Sequence, residues 1–251
     1  MKSPRKTSRR TSHPDLPPYW AQACAQLGQK DRVLRRLIPQ LGEHVLQPSR
    51  DAFTTLARSM VGQQISVAAA KTLWQRLLAL LPEPAPVTAV SVPQNTAAQL
   101  ALDLAAPPAE DTPRTILPTE LLQLRAEDMR AAGLSPRKVD YLLALAQQFS
   151  TGKLRPHSWA TLEDEAIIQQ LMQLRGVGRW TAEMFLMFHL LRPNVLPLDD
   201  AGLIKGISLN YFSGDPVSRS EAREVAQAWQ PWCSVATWYI WRSLQTQPLA
   251  P

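Results

Sequence analysis

Cysteine is scarce in this chain. Its two copies, Cys24 and Cys233, stand far apart and form no Cys-x-x-Cys pair. Neither a cysteine-ligated iron–sulfur cluster nor a structural zinc site can be built from them, so they are expected to be reduced core thiols. Histidine is equally thin: His13, His44, His157 and His189 make no His-x-x-His or His/Asp cluster, and no catalytic metal site is expected. No apolar run reaches the roughly eighteen residues that suggest a membrane span. The basic N-terminus is followed by no apolar segment, so no secretory signal is expected either. Finally, no segment sustains the alternation of a half-buried strand, which predicts an all-α protein.

What is present is ordinary in bulk and unusual in detail. The 251 residues are 45% hydrophobic, enough to bury a core as one large domain or two small lobes. A formal net charge of +6 favours a polyanionic partner, although basicity alone is weak evidence. Residues 1–18 carry Lys2, Arg5, Lys6, Arg9 and Arg10 with four prolines, and read as a disordered basic arm. From Pro82 through Pro118 there are eight prolines among many alanines. Proline removes backbone donors and fixes φ, so residues 82–118 read as an extended insertion, with a short helix near Thr96–Leu104.

Elsewhere the pattern is helical. Leu34, Leu37, Ile38 and Leu41 share one helix face. Ser49 or Asp51 can cap a helix burying Phe53, Leu56, Ala57 and Met60, and another helix follows Ser66. Thr119 is the expected cap of Leu121–Leu124, Gly133 the stop of Ala126–Ala132, and Ser135 the start of the next helix. Helices are also expected over Leu162–Leu174, Trp180–Leu191, Asp200–Ile207, Ser220–Trp229 and Val235–Leu244.

The most informative stretch is Leu174-Arg175-Gly176-Val177-Gly178-Arg179-Trp180-Thr181-Ala182. One helix ends at the glycines and another starts at once. A Gly-terminated helix followed by a second helix is the bland reading. Glycines bracketing one apolar residue also make a hairpin tight enough to lay backbone N–H groups open to an anion, such as a DNA phosphate held without sequence readout. Asp199 and Asp200 follow Pro197 at the head of a predicted helix. One cap needs one aspartate, so two leave a spare carboxylate.

The hairpin string, with Leu196-Pro197-Leu198-Asp199-Asp200 downstream, resembles the helix–hairpin–helix DNA glycosylase superfamily. Val61-Gly62-Gln63-Gln64-Ile65-Ser66 and Trp229-Gln230-Pro231-Trp232 point to its 3-methyladenine DNA glycosylase II branch. The resemblance spans roughly Tyr19 to Leu244 apart from the insertion. It implies an all-α fold of two lobes with a DNA cleft between them, 19–51 plus 201–248 forming one and 52–200 the other. It implies hydrolysis of the N-glycosidic bond of alkylated purines after base flipping.

Residue by residue, the resemblance makes Asp200 catalytic and places Trp180, Met184, Trp238 and Trp241 at the base pocket. It makes Gln64, with Ile65 beside it, the wedge that fills the vacated stack. Gly176, Val177, Gly178 and Arg179 become the phosphate-binding hairpin. Met184 stands where better-known relatives have tyrosine, and Trp180 where strand-cutting members have a Schiff-base lysine, so a monofunctional enzyme is expected. The expected partner is duplex DNA holding alkylated bases, the protein a cytoplasmic monomer that needs no cofactor beyond a monovalent cation at the hairpin carbonyls. Arg58, Arg137, Lys138, Arg179 and Lys205 are candidates for a phosphate track. The enzymatic reading requires an open path from residue 200 to a swung-out nucleotide. Its rivals are a non-enzymatic helix–hairpin–helix DNA-binding protein and a glycosylase for oxidised or mismatched bases.

Overall fold

The computed structural model describes residues 17–42, 46, 51–65, 67–82 and 114–246. Most of the basic arm and of the Pro/Ala-rich stretch, including Thr96–Leu104, lies outside them, as does Ser49. The described residues form helices and one 3-10 turn, with no strand among them. The helices are α1 (Trp20–Lys30), α2 (Arg32–Leu41), α3 (Ala52–Gly62), α4 (Val67–Leu80), α5 (Pro118–Leu122) and α6 (Ala126–Ala131). They continue with α7 (Pro136–Ser150), α8 (Asp164–Met172), α9 (Arg179–Phe188), α10 (Ala201–Tyr211), α11 (Arg219–Gln227) and α12 (Cys233–Thr246). Among the described residues no helix is long and apolar enough to cross a membrane.

Two groups of helices form around α12 and α7. α12 packs on α1, α2 and α10, and α11 lies against α10. Residues 233–243 are buried without a break, which marks α12 as the central helix of its group. Burial of Trp238, Tyr239, Ile240 and Trp241, each at most 2% exposed, stabilises this group by roughly 1.5–3 kcal/mol per side chain. Gly206 lets α10 lie close to it, for a Cβ there would stand 2.4 Å from Ile240 Cγ2. In the second group α7 packs against α3, α5 and α6, α4 against α3 and α6, and α9 against α8 and α3. Phe188 at the end of α9 joins the groups, stacked on Trp241 at 6.1 Å and edge-on to Trp238 at 6.4 Å.

Local caps explain several helix starts. Asp31 Oδ1 accepts the N–H groups of Val33 and Leu34, Asp51 that of Thr54 and Ser135 that of Lys138. Some boundaries differ from expectation. Thr119 does not cap α5: Pro118 occupies the first helical position, Leu117 precedes it, and Glu120 reaches back to the Leu117 N–H at 2.7 Å. α8 starts later than Leu162 because Pro156–Thr161 closes first as a 3-10 turn. α9 stops at Phe188, where the His189 and Leu190 N–H groups both turn onto the Phe185 carbonyl and Leu191 takes a φ of 51°.

Candidate active site and nucleic-acid interface

The loop from His189 to Asp200 is fastened at Arg192 and Val195. Arg192 donates to the carbonyls of Trp159 and Leu162, at 2.6 and 2.9 Å. Ser234 on α12 donates its hydroxyl to the Arg192 carbonyl and accepts the Val195 N–H. The chain therefore delivers Asp199 and Asp200 to the head of α10 at a fixed height beside α9.

Asp199 turns outward to Arg219, 2.7 Å away. Asp200 turns inward and caps α10: Oδ1 accepts the Leu203 N–H at 2.6 Å. The same oxygen accepts the indole N–H of Trp241 at 2.8 Å, and Oδ2 accepts that of Trp180 at 2.9 Å. All three partners are donors, a setting built for a carboxylate. Gly202 makes it possible, since a Cβ there would lie 3.1 Å from Asp200 Oδ1 and 3.4 Å from the Trp241 ring.

Asp200 is only 4% exposed. Rather than standing open, Oδ2 holds the indole N–H of half-buried Trp180 at 2.9 Å. Met184, buried on the same helix, lines a small apolar cavity with Thr55, Leu56, Thr181 and Phe188. Trp238 stands one ring further off, against Phe188 rather than on the carboxylate. The structure thus gathers Asp200, Trp180 and Trp241 at one point, with Met184 and Trp238 at its margin.

The hairpin lies at the other end of α9. The Val177 N–H returns to the Leu174 carbonyl at 3.1 Å, and the Val177 side chain is buried. Gly176 has a φ of 88°, and a Cβ there would lie 2.3 Å from the Tyr141 ring, so only glycine fits. Gly178 is the N-cap of α9 and brings no side-chain cap. The first-turn N–H groups of a helix have no intrahelical acceptor.

Arg179 differs from expectation. Its guanidinium grips the carboxylate of Glu165 at 2.6 and 3.1 Å, and its Nε lies 3.5 Å from Glu183. That side chain buckles α8 to α9 instead of pointing free from the hairpin. Glu183 was not picked out from sequence, although its position four residues after Arg179 on one helix face was a usable signal. Burial pushes its carboxyl up to about 7, against the pull of Arg179 and with help from Asp199, Glu165 and Asp200.

Gln64 and Ile65 are exposed at the end of α3, and Gln64 holds a left-handed φ of 60°. Gln63, another residue sequence reasoning passed over, points the other way. Its amide donates to the Gly176 carbonyl at 2.8 Å and to Thr181 Oγ1 at 3.3 Å. Lys138 donates to the Val61 carbonyl at 2.6 Å, and the half-burial of its amine lowers its pKa. Arg137 holds the Tyr141 hydroxyl at 3.0 Å, Arg58 lies over the Trp74 ring, and Lys205 is exposed. Among the described residues no group of three or more His, Cys, Asp or Glu side chains is arranged to hold a metal ion.

Two helices joined by a Gly-Val-Gly hairpin, followed by a clasped aspartate, define a helix–hairpin–helix base-excision architecture. Residues 57–231 match the HhH-GPD superfamily of base excision DNA repair proteins, and the chain belongs to that superfamily. It is 32% identical over 139 residues to DNA-3-methyladenine glycosylase 1 of Schizosaccharomyces pombe, covering 53% of this chain and 61% of that one. A solved DNA-3-methyladenine glycosidase from Bacillus halodurans superposes with a TM-score of 0.70 at 27% identity, over 89% of both chains. The fold is shared with the Schizosaccharomyces pombe Mag1 structure in complex with abasic DNA, at a TM-score of 0.69 and 24% identity, covering 92% of this chain and all of that one. The matches span between 45% and 61% of the length of the first curated relatives.

Proposed function

We propose that this protein is a monofunctional DNA glycosylase of the 3-methyladenine II type. It hydrolyses the N-glycosidic bond of alkylated purines in duplex DNA, as a step of base excision repair. The observation that supports this most is the Asp200 carboxylate clasped between two indoles at the head of α10. The names of its relatives, DNA-3-methyladenine glycosylases, agree with it.

In this reading the hairpin amides hold a backbone phosphate while the damaged nucleotide swings out. Trp180 yields Oδ2 of Asp200 as the sugar arrives. The C1′–N bond breaks with its electron pair leaving on the base, and the positive charge that develops on the sugar faces a fixed carboxylate. Water then adds at C1′, and its proton passes to the Asp200 carboxylate. Preorganised groups of this kind are commonly worth about 3–4 kcal/mol each. A purine alkylated at a ring nitrogen, as in 3-methyladenine or 7-methylguanine nucleotides, is cationic, and the electron-rich faces of Trp180 and Trp241 favour it by roughly 0.5–2 kcal/mol over a neutral base. Trp180 supplies no amine for a Schiff base, so the product is an intact strand with an abasic site.

A monovalent cation at the hairpin would rest on the carbonyls that remain open, since that of Gly176 is taken by Gln63. We expect the protein to act as a monomer on DNA in the cytoplasm. The test is base release from methylated duplex DNA by wild type and Asp200→Asn. Loss of at least a hundredfold, roughly the value of one such group, with DNA affinity retained, agrees with the assignment. Near-normal release by Asp200→Asn, or a covalent adduct trapped by borohydride, overturns it.

A further inference from the structure

The wedge and the phosphate-binding hairpin come from distant parts of the chain, yet they are not independent. Gln63 precedes Gln64 directly and spends its amide on the hairpin, donating to the Gly176 carbonyl at 2.8 Å and to Thr181 on the first turn of α9 at 3.3 Å. Two further ties run parallel to it. The Tyr141 ring fills the space beside Gly176, and Lys138, one turn earlier on α7, donates to the Val61 carbonyl in the last turn of α3. The left-handed φ of 60° at Gln64 is a strained state for a non-glycine residue and persists only where its neighbours over-determine it. Here the neighbours on its N-terminal side, Val61 and Gln63, are the fastened ones.

We propose that Gln63 is a positioning residue that couples phosphate capture to base extrusion, holding the wedge at a fixed height above the hairpin. This rests on the glycosylase reading and on Gln64 as the wedge. A hairpin seated on its phosphate then places Gln64 against the stack without a separate closing step. An amide suits this position, because it donates twice at the hairpin and carries no charge that would compete with the arriving phosphate.

The test uses the full chain as wild type, Gln63→Met and Gln63→Glu. Gln63→Met keeps length and loses both donors; Gln63→Glu sets an acceptor against the Gly176 carbonyl. Single-turnover release is measured on two duplexes carrying the same alkylated purine, one with its complementary base opposite and one with no base opposite, where extrusion is already eased. Extrusion is read separately from release, by fluorescence of 2-aminopurine placed beside the lesion. Loss of the coupling bonds should slow release about tenfold on the paired duplex, as expected for lost hydrogen bonds. In Gln63→Met it should slow the unpaired duplex far less and leave affinity for undamaged duplex near wild type, whereas the charge of Gln63→Glu should also weaken that affinity. Equal slowing on both duplexes, or none on the paired one, overturns the proposal. Should wild type release no base, the glycosylase reading fails by itself. The coupling then stands if 2-aminopurine brightens with wild type and not with Gln63→Met, and falls if the two behave alike.

Discussion

Trp241 reaches back 41 residues to Asp200, its indole N–H lying 2.8 Å from the oxygen that also receives the Leu203 N–H. That oxygen is saturated by structure. Oδ2 accepts the indole N–H of half-buried Trp180, and in the proposed function it is the one left to meet a substrate. The division of labour between two oxygens of one carboxylate yields a prediction. Trp241→Phe keeps the stack on Phe188 and removes the donor from a buried acceptor, at about 1–3 kcal/mol. Base release should fall about tenfold or more while DNA affinity changes little, as a single-turnover assay beside a filter-binding titration will report.

Two glycines on α10 separate site from stability. At Gly206 a Cβ would press on Ile240 Cγ2 at 2.4 Å and on the Ile240 carbonyl oxygen at 3.1 Å, so the crossing with α12 must open. Gly206→Ala should lose about 1–3 kcal/mol of stability in urea unfolding. Gly202→Ala meets only Asp200 Oδ1 and the Trp241 ring, at 3.1 and 3.4 Å. It should disturb release more than folding. A Gly202→Ala protein with wild-type turnover would show that the clasp tolerates displacement.

Glu183 predicts a pH dependence of stability. Its carboxyl titrates near 7 in the folded chain, because burial and three neighbouring carboxylates outweigh the Arg179 guanidinium. Unfolded, a glutamate titrates near about 4.3. Between these values the folded state binds the extra proton, so stability falls as pH rises through the window and levels off above it. Glu183→Gln should remove that slope. Its Tm at pH 8 should exceed wild type by several degrees, since a shift of more than two units outweighs about 1 kcal/mol, and match it near pH 4. A parallel pair of melting curves across pH would contradict this assignment.

Gly176→Ala tests the hairpin directly. The φ of 88° is strained for any side chain, and the new methyl would collide with Tyr141 at 2.3 Å. A loss of about 1–3 kcal/mol, divided between folding and DNA affinity, is expected from strain and overpacking. Affinity for undamaged duplex should drop with it; unchanged binding would remove the hairpin from the interface.

The hairpin and the Asp199–Asp200 pair were legible from sequence because each is a local event, a turn between helices and a cap, written within a few adjacent residues. The all-α class was legible for the same reason: periodicity near 3.6 recurs along helices such as α1, α2, α7 and α8. Arg179 misled because its free appearance in the string hid Glu165, fourteen residues earlier across the turn. Gln63 was invisible because its partner stands 113 residues away. The bond from Trp180 to Asp200 was equally unreadable, as a motif states which residues are present and not which way they face.

By itself, then, the order of amino acids determined the helices, their caps, and the identities of the groups that could do chemistry, all of which depend on interactions within a turn or two. Only packing decided that one oxygen of Asp200 is saturated while the other lies under Trp180, that Arg179 serves two carboxylates, and that Gln63 joins wedge to hairpin. Those are contacts between surfaces of separate helices, and their geometry follows from how α3, α7, α9, α10 and α12 bury one another.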